Sequence, residues 1–146
     1  RCDFWSYNCR LDAIHAAMLR VQFSVIEEWT EERRRLAFRY SDLLREYAEV
    51  PDEGPGEYCV YQTYMIQVQR RDELRDHLRD NGVEVLVHYD TPIHLQPAAS
   101  ELGYGEGDFP NTMRASKRIL SLPLYAGLDE EQQDQVVGLI RGFYGA

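Results

Sequence analysis

Two short polar clusters carry the side chains best suited to bind a ligand. The first is Asn8-Cys9-Arg10, which places an amide and a guanidinium two residues apart, just before an apolar helical pattern. Because backbone N–H groups at the start of a helix attract anions, this cluster suits a phosphate or a carboxylate. The other interpretation is an ordinary helix cap followed by a surface arginine. The spacing leaves both interpretations open.

The second cluster is residues 88–97, which read HYDTPIHLQP. It offers two imidazoles, a phenol and an amide, those of His88, His94, Tyr89 and Gln96. Binding residues often lie on loops placed by a rigid element, and imidazole changes charge near neutral pH. The other interpretation is a loop whose polar groups pair only with its own backbone. Both interpretations stay open on the residue types alone.

A long helix is predicted to follow the first cluster. Apolar residues recur in steps of three and four, the spacing of one helical face. They are Leu11, Ile14, Met18, Val21, Val25 and Trp29, with a second set between residues 36 and 47. Asn8 is predicted to cap the helix and Asp12 to lie in its first turn. The pattern predicts a helix over about residues 11–49, which either bends near 23–26 or extends toward another domain or subunit.

Shorter elements alternate after a Gly/Pro break at residues 51–56. The predicted series is a strand at 59–68, a helix at 71–81 closed by Gly82, a strand at 83–88, a loop at 89–110, a helix at 112–119, a strand at 120–125 and a helix from Asp129 to Tyr144. Strands separated by helices favour an α/β fold of the two-layer α+β kind. We expect a long N-terminal helix followed by a small mixed or antiparallel sheet with packing helices.

Composition excludes several classes of protein. With 16 basic and 25 acidic residues the net charge is −9, which disfavours binding to nucleic acid. No segment approaches the roughly 20 apolar residues of a membrane span. Three cysteines without C-x-x-C spacing and four scattered histidines disfavour a zinc site. The chain begins at Arg1 without a secretory leader, so we expect a cytoplasmic protein of which these residues are one part.

Four motifs in one order carry a family resemblance. They are Asn8-Cys9-Arg10-Leu11-Asp12, the HYDTPIHLQP stretch, GDFP at 107–110 and LSLP at 120–123. The chain resembles the C-terminal part of the DegT/DnrJ/EryC1/StrS family of pyridoxal-phosphate-dependent sugar aminotransferases. The resemblance implies the small domain of fold type I aminotransferases and a homodimer with its active sites at the subunit interface. It also implies one C-terminal domain over 1–146, with a connecting region at 1–50 and an α/β body at 57–146.

The resemblance also implies roles for single residues. Asn8 and Arg10 match an N-x-R motif whose asparagine reaches the phosphate of the partner subunit's cofactor. His88, Tyr89 and His94 match a stretch near the substrate mouth. The implied reaction transfers an amino group from an amino acid such as glutamate to a keto sugar, with a nucleotide-linked sugar as the expected form. No catalytic residue is expected in this chain.

The single lysine of the chain, Lys117, does not match the family's cofactor lysine, which precedes the N-x-R motif. Lys117 stands between arginines on a predicted short helix, so we expect a surface residue. A transaminase needs such an amine, and these residues alone are therefore expected to be inactive. The alternative is a non-catalytic relic or a regulatory, dimerising module of the same family. A substrate ketone on a cyclitol is a further alternative that the sequence does not separate.

Overall fold

The computed structural model describes residue 3 and residues 11–145. Their helices and strands are α1 (Ala13–Phe23), α2 (Ile26–Leu44), β1 (Tyr64–Gln67), α3 (Arg71–Asp80), two 3₁₀ turns (Ile93–Leu95 and Pro97–Leu102), α4 (Pro110–Ser116), β2 (Ile119–Leu122) and α5 (Glu130–Gly145). The chain divides into two compact units. Among the described residues, the first unit combines those before Glu28 with Tyr89–Lys117, and the second combines Glu28–His88 with those from Arg118 to residue 145.

The predicted long helix is two helices. Helix α1 ends at Phe23, and α2 begins at Ile26. Ser24 lies in the turn between them, where its Oγ donates a hydrogen bond of 2.7 Å to the carbonyl of Val21. A serine hydroxyl bonded back to the preceding turn competes with the helical ladder, which agrees with the break. The helical hydrogen-bond pattern is therefore interrupted at residues 24–25, within the range where a bend was expected.

The start of α1 differs from the prediction in one detail. Asp12 precedes the helix as its N-cap and does not lie in its first turn. Its Oδ1 accepts hydrogen bonds from the backbone N–H groups of Ile14 at 3.0 Å and His15 at 2.9 Å. A carboxylate satisfies N–H groups that a helix start leaves without partners, so Asp12 performs the capping that was expected of Asn8. Asn8 lies outside the described residues.

The hydrophobic core lies in the second unit, where α2, α3 and α5 pack with two strands. Strand β1 pairs antiparallel with β2, so that Tyr64 lies opposite Leu122 and Gln67 opposite Ile119. In β1, Tyr64 and Ile66 are buried while Met65 is exposed, as alternation along a strand requires. The small antiparallel sheet with packing helices is the predicted fold class, and it is confirmed.

The strands are shorter than predicted. The predicted strand at 59–68 is reduced to Tyr64–Gln67, because Tyr61 adopts a left-handed φ of 44° that a strand does not allow. The predicted strand at 83–88 contributes one bridge, between Leu86 and Ser121. The last strand ends at Leu122, before Pro123, which has no N–H to donate to a ladder.

The helices of the second unit agree closely with their patterns. Leu74 and Leu78 of α3 are fully buried, and Gly82 follows the helix with a φ of +80°. Asp129 caps α5, since its Oδ1 accepts a 2.7 Å bond from the N–H of Gln132. The Oε1 of Gln132 accepts a bond from the N–H of Asp129 in return. This reciprocal pair is a capping box, which fixes the start of the helix.

Helix α1 buries no residue in the described part of the chain. Its apolar stripe is exposed, with Ile14 at 74%, Val21 at 72% and Phe23 at 77% of full accessibility. The stripe is therefore not part of the core formed by the described residues. No helix among the described residues is both long enough and apolar enough to cross a membrane.

Candidate functional site

The predicted anion site lies outside the described residues. Asn8 and Arg10, together with Cys9 between them, precede the described range that starts at Leu11. Their role at a cofactor phosphate stays a prediction from the sequence.

His88 is positioned by the sheet of the second unit. Its Nδ1 lies 2.9 Å from the Oγ of Ser121, which is buried on β2. The backbone of Ser121 in turn exchanges two hydrogen bonds with Leu86, two residues before the histidine. A hydrogen bond at one ring nitrogen restrains the orientation of an imidazole. The bridge between Leu86 and Ser121 and the hydroxyl of Ser121 therefore position the ring of His88.

His88 lines a cleft of about 430 Å³ in the second unit, which we call the polar cleft. Its polar side chains are those of Gln62, Thr63, Glu84, His88, Ser121 and Tyr125. They bring amide, hydroxyl, carboxylate and imidazole groups to one wall. Such a mixture of hydrogen-bond donors and acceptors suits a ligand with several hydroxyl groups.

The loop that follows His88 belongs to the first unit and carries Tyr89. The Tyr89 side chain is 78% exposed. The Nε2 of Gln96 donates a 3.0 Å hydrogen bond to the carbonyl of Thr91, which closes the loop upon itself. This bond pairs one polar side chain of the stretch with the backbone of its own loop.

His94 lies in the first 3₁₀ turn and packs against an aromatic pair. The rings of His94 and Phe109 are 4.7 Å apart between centroids, and Tyr104 meets Phe109 edge-on at 5.1 Å. The Nε2 of His94 is buried and has no hydrogen-bond partner among the described residues. The sequence analysis gave no role to Phe109 or Tyr104. The signal was present, because two aromatic side chains in a glycine-rich stretch rarely serve the turn itself.

The three candidate side chains belong to different units. His88 lies in the second unit, whereas Tyr89 and His94 lie in the first. Their roles at a substrate stay predictions.

The clearest electrostatic feature of the second unit lies at Arg34. Its guanidinium donates hydrogen bonds of 2.6 and 3.0 Å to the two carboxylate oxygens of Glu53. These hydrogen bonds, above all, hold the pKa of Glu53 below its usual range. Burial raises the pKa of the nearby Tyr61 to about 12. The pair of Arg34 and Glu53 stabilises the ionised carboxylate, and neither Glu53 nor Tyr61 lines the polar cleft.

Lys117 follows α4 and is exposed. It lines neither the polar cleft nor the pocket beside His94. Within residue 3 and residues 11–145, no group of three or more His, Cys, Asp or Glu side chains is placed to hold a metal ion.

Comparison with known proteins gives consistent matches along the chain. The model of the DegT/DnrJ/EryC1/StrS aminotransferase family matches residues 2–141. A "Pleiotropic regulatory protein" of Geobacillus stearothermophilus is 44% identical over 94% of this chain and 38% of its own length. A dTDP-3-amino-3,4,6-trideoxy-alpha-D-glucose transaminase of Streptomyces venezuelae is 33% identical over 92% of this chain and 36% of its own.

The solved structures agree. The crystal structure of a DegT DnrJ EryC1 StrS aminotransferase from Brucella abortus superposes with a TM-score of 0.87 at 36% identity. The match covers 94% of this chain and 37% of that one. This chain therefore spans between 36% and 38% of the length of the three proteins.

Proposed function

Because the chain belongs to the DegT/DnrJ/EryC1/StrS aminotransferase family, we propose that it is the C-terminal part of an enzyme that aminates a keto sugar. The proposed substrate is linked to a nucleotide, and the proposed donor is an amino acid such as glutamate. The observation that carries this proposal is the 33% identity to a nucleotide-sugar transaminase over 92% of the chain. Residues 1–146 would form its small domain, with 1–50 as the connecting region and 57–146 as the α/β body.

The proposed enzyme uses pyridoxal phosphate, held largely by residues outside this chain. When bound, this cofactor supplies the electron sink that eases proton removal at the α-carbon of an amino acid. The contribution of this chain is Asn8 and Arg10, which would bind the phosphate of the cofactor in the partner subunit of a homodimer. The lysine that holds the cofactor would come from the rest of the protein, because Lys117 is exposed and outside both pockets. The proposed enzyme acts in the cytoplasm.

His88, Tyr89 and His94 are the proposed substrate contacts. The bond between His88 Nδ1 and Ser121 Oγ holds the ring in the wall of the polar cleft. A ring held in this way binds a sugar hydroxyl with little loss of conformational freedom. Tyr89 is proposed from the sequence motif, and its exposed phenol lies outside the hydrophobic core.

A second candidate function has an observation of its own. The relative that is 44% identical carries the name "Pleiotropic regulatory protein". The alternative is therefore a non-catalytic regulatory or dimerising module, for which the exposed stripe of α1 would supply the contact surface.

Expression of the full reading frame that contains this chain separates the two functions. The enzyme is expected to show a visible absorbance that depends on pyridoxal phosphate, and to increase the mass of a nucleotide-linked keto sugar when glutamate is present. A keto cyclitol serves as the comparison substrate. Asn8→Ala is expected to weaken cofactor binding, and residues 1–146 alone are expected to show neither property. A full protein without cofactor absorbance and without amination would support the regulatory module.

A further inference from the structure

The LSLP motif at residues 120–123 has no role in the proposed function, although most of it forms strand β2. Leu120 and Leu122 belong to the hydrophobic core. Successive side chains of a strand point to opposite faces of a sheet, so Ser121, which lies between the two leucines, points away from that core. Packing therefore explains the leucines of the motif and leaves the serine to be explained.

The sheet face that carries Ser121 is otherwise open to solvent. Ser121 lies opposite Met65 of β1 and forms a bridge with Leu86 on its other side. Residues that are directly paired across strands share one face of the sheet. Met65 is 38% exposed and Leu86 46%, whereas Ser121 is only 5% exposed. The serine is therefore covered locally, and the imidazole of His88, at 2.9 Å from its Oγ, is part of that cover.

The buried hydroxyl of Ser121 is directed at His88. Burial of a hydroxyl costs free energy unless it is hydrogen-bonded, and among the described residues the partner of Ser121 Oγ is His88 Nδ1. A hydroxyl can donate or accept, so it can bond this nitrogen whether or not the nitrogen carries a proton. The backbone of Ser121 is itself held by two hydrogen bonds with Leu86, of 2.8 and 3.2 Å. Ser121 is thus a rigid support for the ring.

We propose that Ser121 is a positioning residue for His88, which holds the imidazole in the wall of the polar cleft so that His88 contacts the substrate with a fixed ring. This inference rests on the proposed function and gives the LSLP motif a part in substrate affinity. Ser121 takes part in no chemical step. Because Ser121 also lines the polar cleft, the test must separate an effect through His88 from a direct contact with the substrate.

The first measurement is the KM of the full-length holoenzyme for the nucleotide-linked keto sugar, with glutamate in excess. Ser121→Ala should raise this KM by about twofold to tenfold, the range that one hydrogen bond contributes. The kcat should stay within about twofold of the wild type, because the lost interaction serves binding. Ser121→Thr keeps a hydroxyl on a side chain that strands favour, and it should restore the KM.

A double-mutant cycle tests whether the effect passes through His88. Once His88→Ala has removed the ring, Ser121→Ala should raise the KM no further, because the two residues act as one unit. A further rise in the His88→Ala background would indicate a direct contact of Ser121 with the substrate or a general disturbance of the cleft. Either result would overturn the proposal.

The second measurement observes the ring itself, by NMR of the full-length protein with isotope-labelled histidine. The ring-nitrogen signals of His88 are those that disappear in His88→Ala. Ser121→Ala should shift these signals and leave those of the other histidines in place, whereas Ser121→Thr should leave all of them near their wild-type positions. Unchanged His88 signals in Ser121→Ala would also overturn the proposal.

The matched control is Ser41→Ala in the same unit. Ser41 is 4% exposed, its Oγ lies 2.9 Å from the hydroxyl of Tyr64, and it is outside the lining of the polar cleft. This variant also removes a buried hydroxyl from a hydrogen bond, so it should lower the thermal midpoint much as Ser121→Ala does. The KM and the His88 signals should not change. An equal rise in KM for Ser41→Ala would show that lost stability, and not the position of His88, explains the effect.

The same measurements separate this proposal from the proposed function. A holoenzyme that aminates the keto sugar while Ser121→Ala keeps the wild-type KM refutes the positioning role alone. A protein that aminates nothing refutes the proposed function. In that protein the His88 signals of Ser121→Ala still support the positioning of the ring if they shift and refute it if they do not.

Discussion

The two units of the chain use apolar residues in opposite ways. Every residue of the hydrophobic core cluster lies in the second unit, including Leu36, Ile66 and Ile140, which are fully buried. In the first unit the large apolar side chains of α1 and of the loop that carries His94, such as Ile14, Ile93 and Leu102, are mostly exposed. Buried apolar area is the main source of folding free energy, whereas exposed apolar patches mark binding surfaces. The described residues thus place the hydrophobic core in the second unit and leave apolar side chains of the first unit exposed.

Two isoleucines test this contrast most directly. Ile140→Ala, at a fully buried position of α5, should lower the free energy of unfolding by about 2–5 kcal/mol, because it leaves a cavity. Ile14→Ala, at a position of α1 that is 74% exposed, should change it by less than about 0.5 kcal/mol. Urea denaturation followed by circular dichroism measures both. Equal losses would show that the contrast between the units is wrong.

Two capping aspartates test the same contrast between the units, with a smaller expected change in the free energy of unfolding. Asp129→Ala removes the cap of α5 and should lower the global free energy of unfolding by about 1 kcal/mol. Asp12→Ala removes the cap of α1, a helix without buried residues, and should act only on that helix. Hydrogen exchange should therefore show faster exchange in α1 with an unchanged urea midpoint. A lower midpoint in Asp12→Ala would contradict the assignment of stability to the second unit.

The smallest expected effect is on the stability of the fold at acidic pH. The hydrogen bonds from Arg34 lower the pKa of Glu53 in the folded chain from its ordinary value of 4.5. The ionised carboxylate therefore stabilises the fold above that ordinary value, and this contribution is lost as the pH falls through the lowered folded pKa. Glu53→Gln should flatten the loss of stability below about pH 4.5, measured as the thermal midpoint against pH.

The matched control for Glu53 is Glu73→Gln. Glu73 pairs with Arg70, and both side chains are more than half exposed, at 60% and 55%. Solvent screens an exposed ion pair. Glu73→Gln should therefore reduce the loss of stability at acidic pH by less than Glu53→Gln does. A larger effect of Glu73→Gln than of Glu53→Gln on the stability at acidic pH would contradict this prediction.

Periodicity predicted the helices because each buries one face. The spacing of Leu74 and Leu78, which are both buried, predicted α3. Gly82 indicated where the helix ends, because its positive φ is one that other residues rarely adopt. The strands were predicted too long because a run of β-branched and aromatic residues does not reveal a left-handed residue such as Tyr61. The sequence also showed no partner for Leu86, whose single bridge to Ser121 depends on residues far along the chain.

The candidate site was predictable only in part. Motif order pointed to His88 and His94, but spacing alone could not show that Ser121 holds one ring and Phe109 packs on the other. Both contacts join residues at least 15 positions apart, and such contacts depend on the tertiary fold. The stripe on α1 had the right period for a buried face, yet amphipathic periodicity does not identify the surface that covers it.

The uncovered stripe of α1 also bears on the fate of this chain in a cell. Chaperones and proteases continuously sort unfolded chains, so that a loss of about 1–2 kcal/mol in stability can change protein abundance severalfold. A copy of these residues without the rest of its protein would present Ile14, Val21 and Phe23 to that quality control. The stripe would thus be a surface that such quality control recognises.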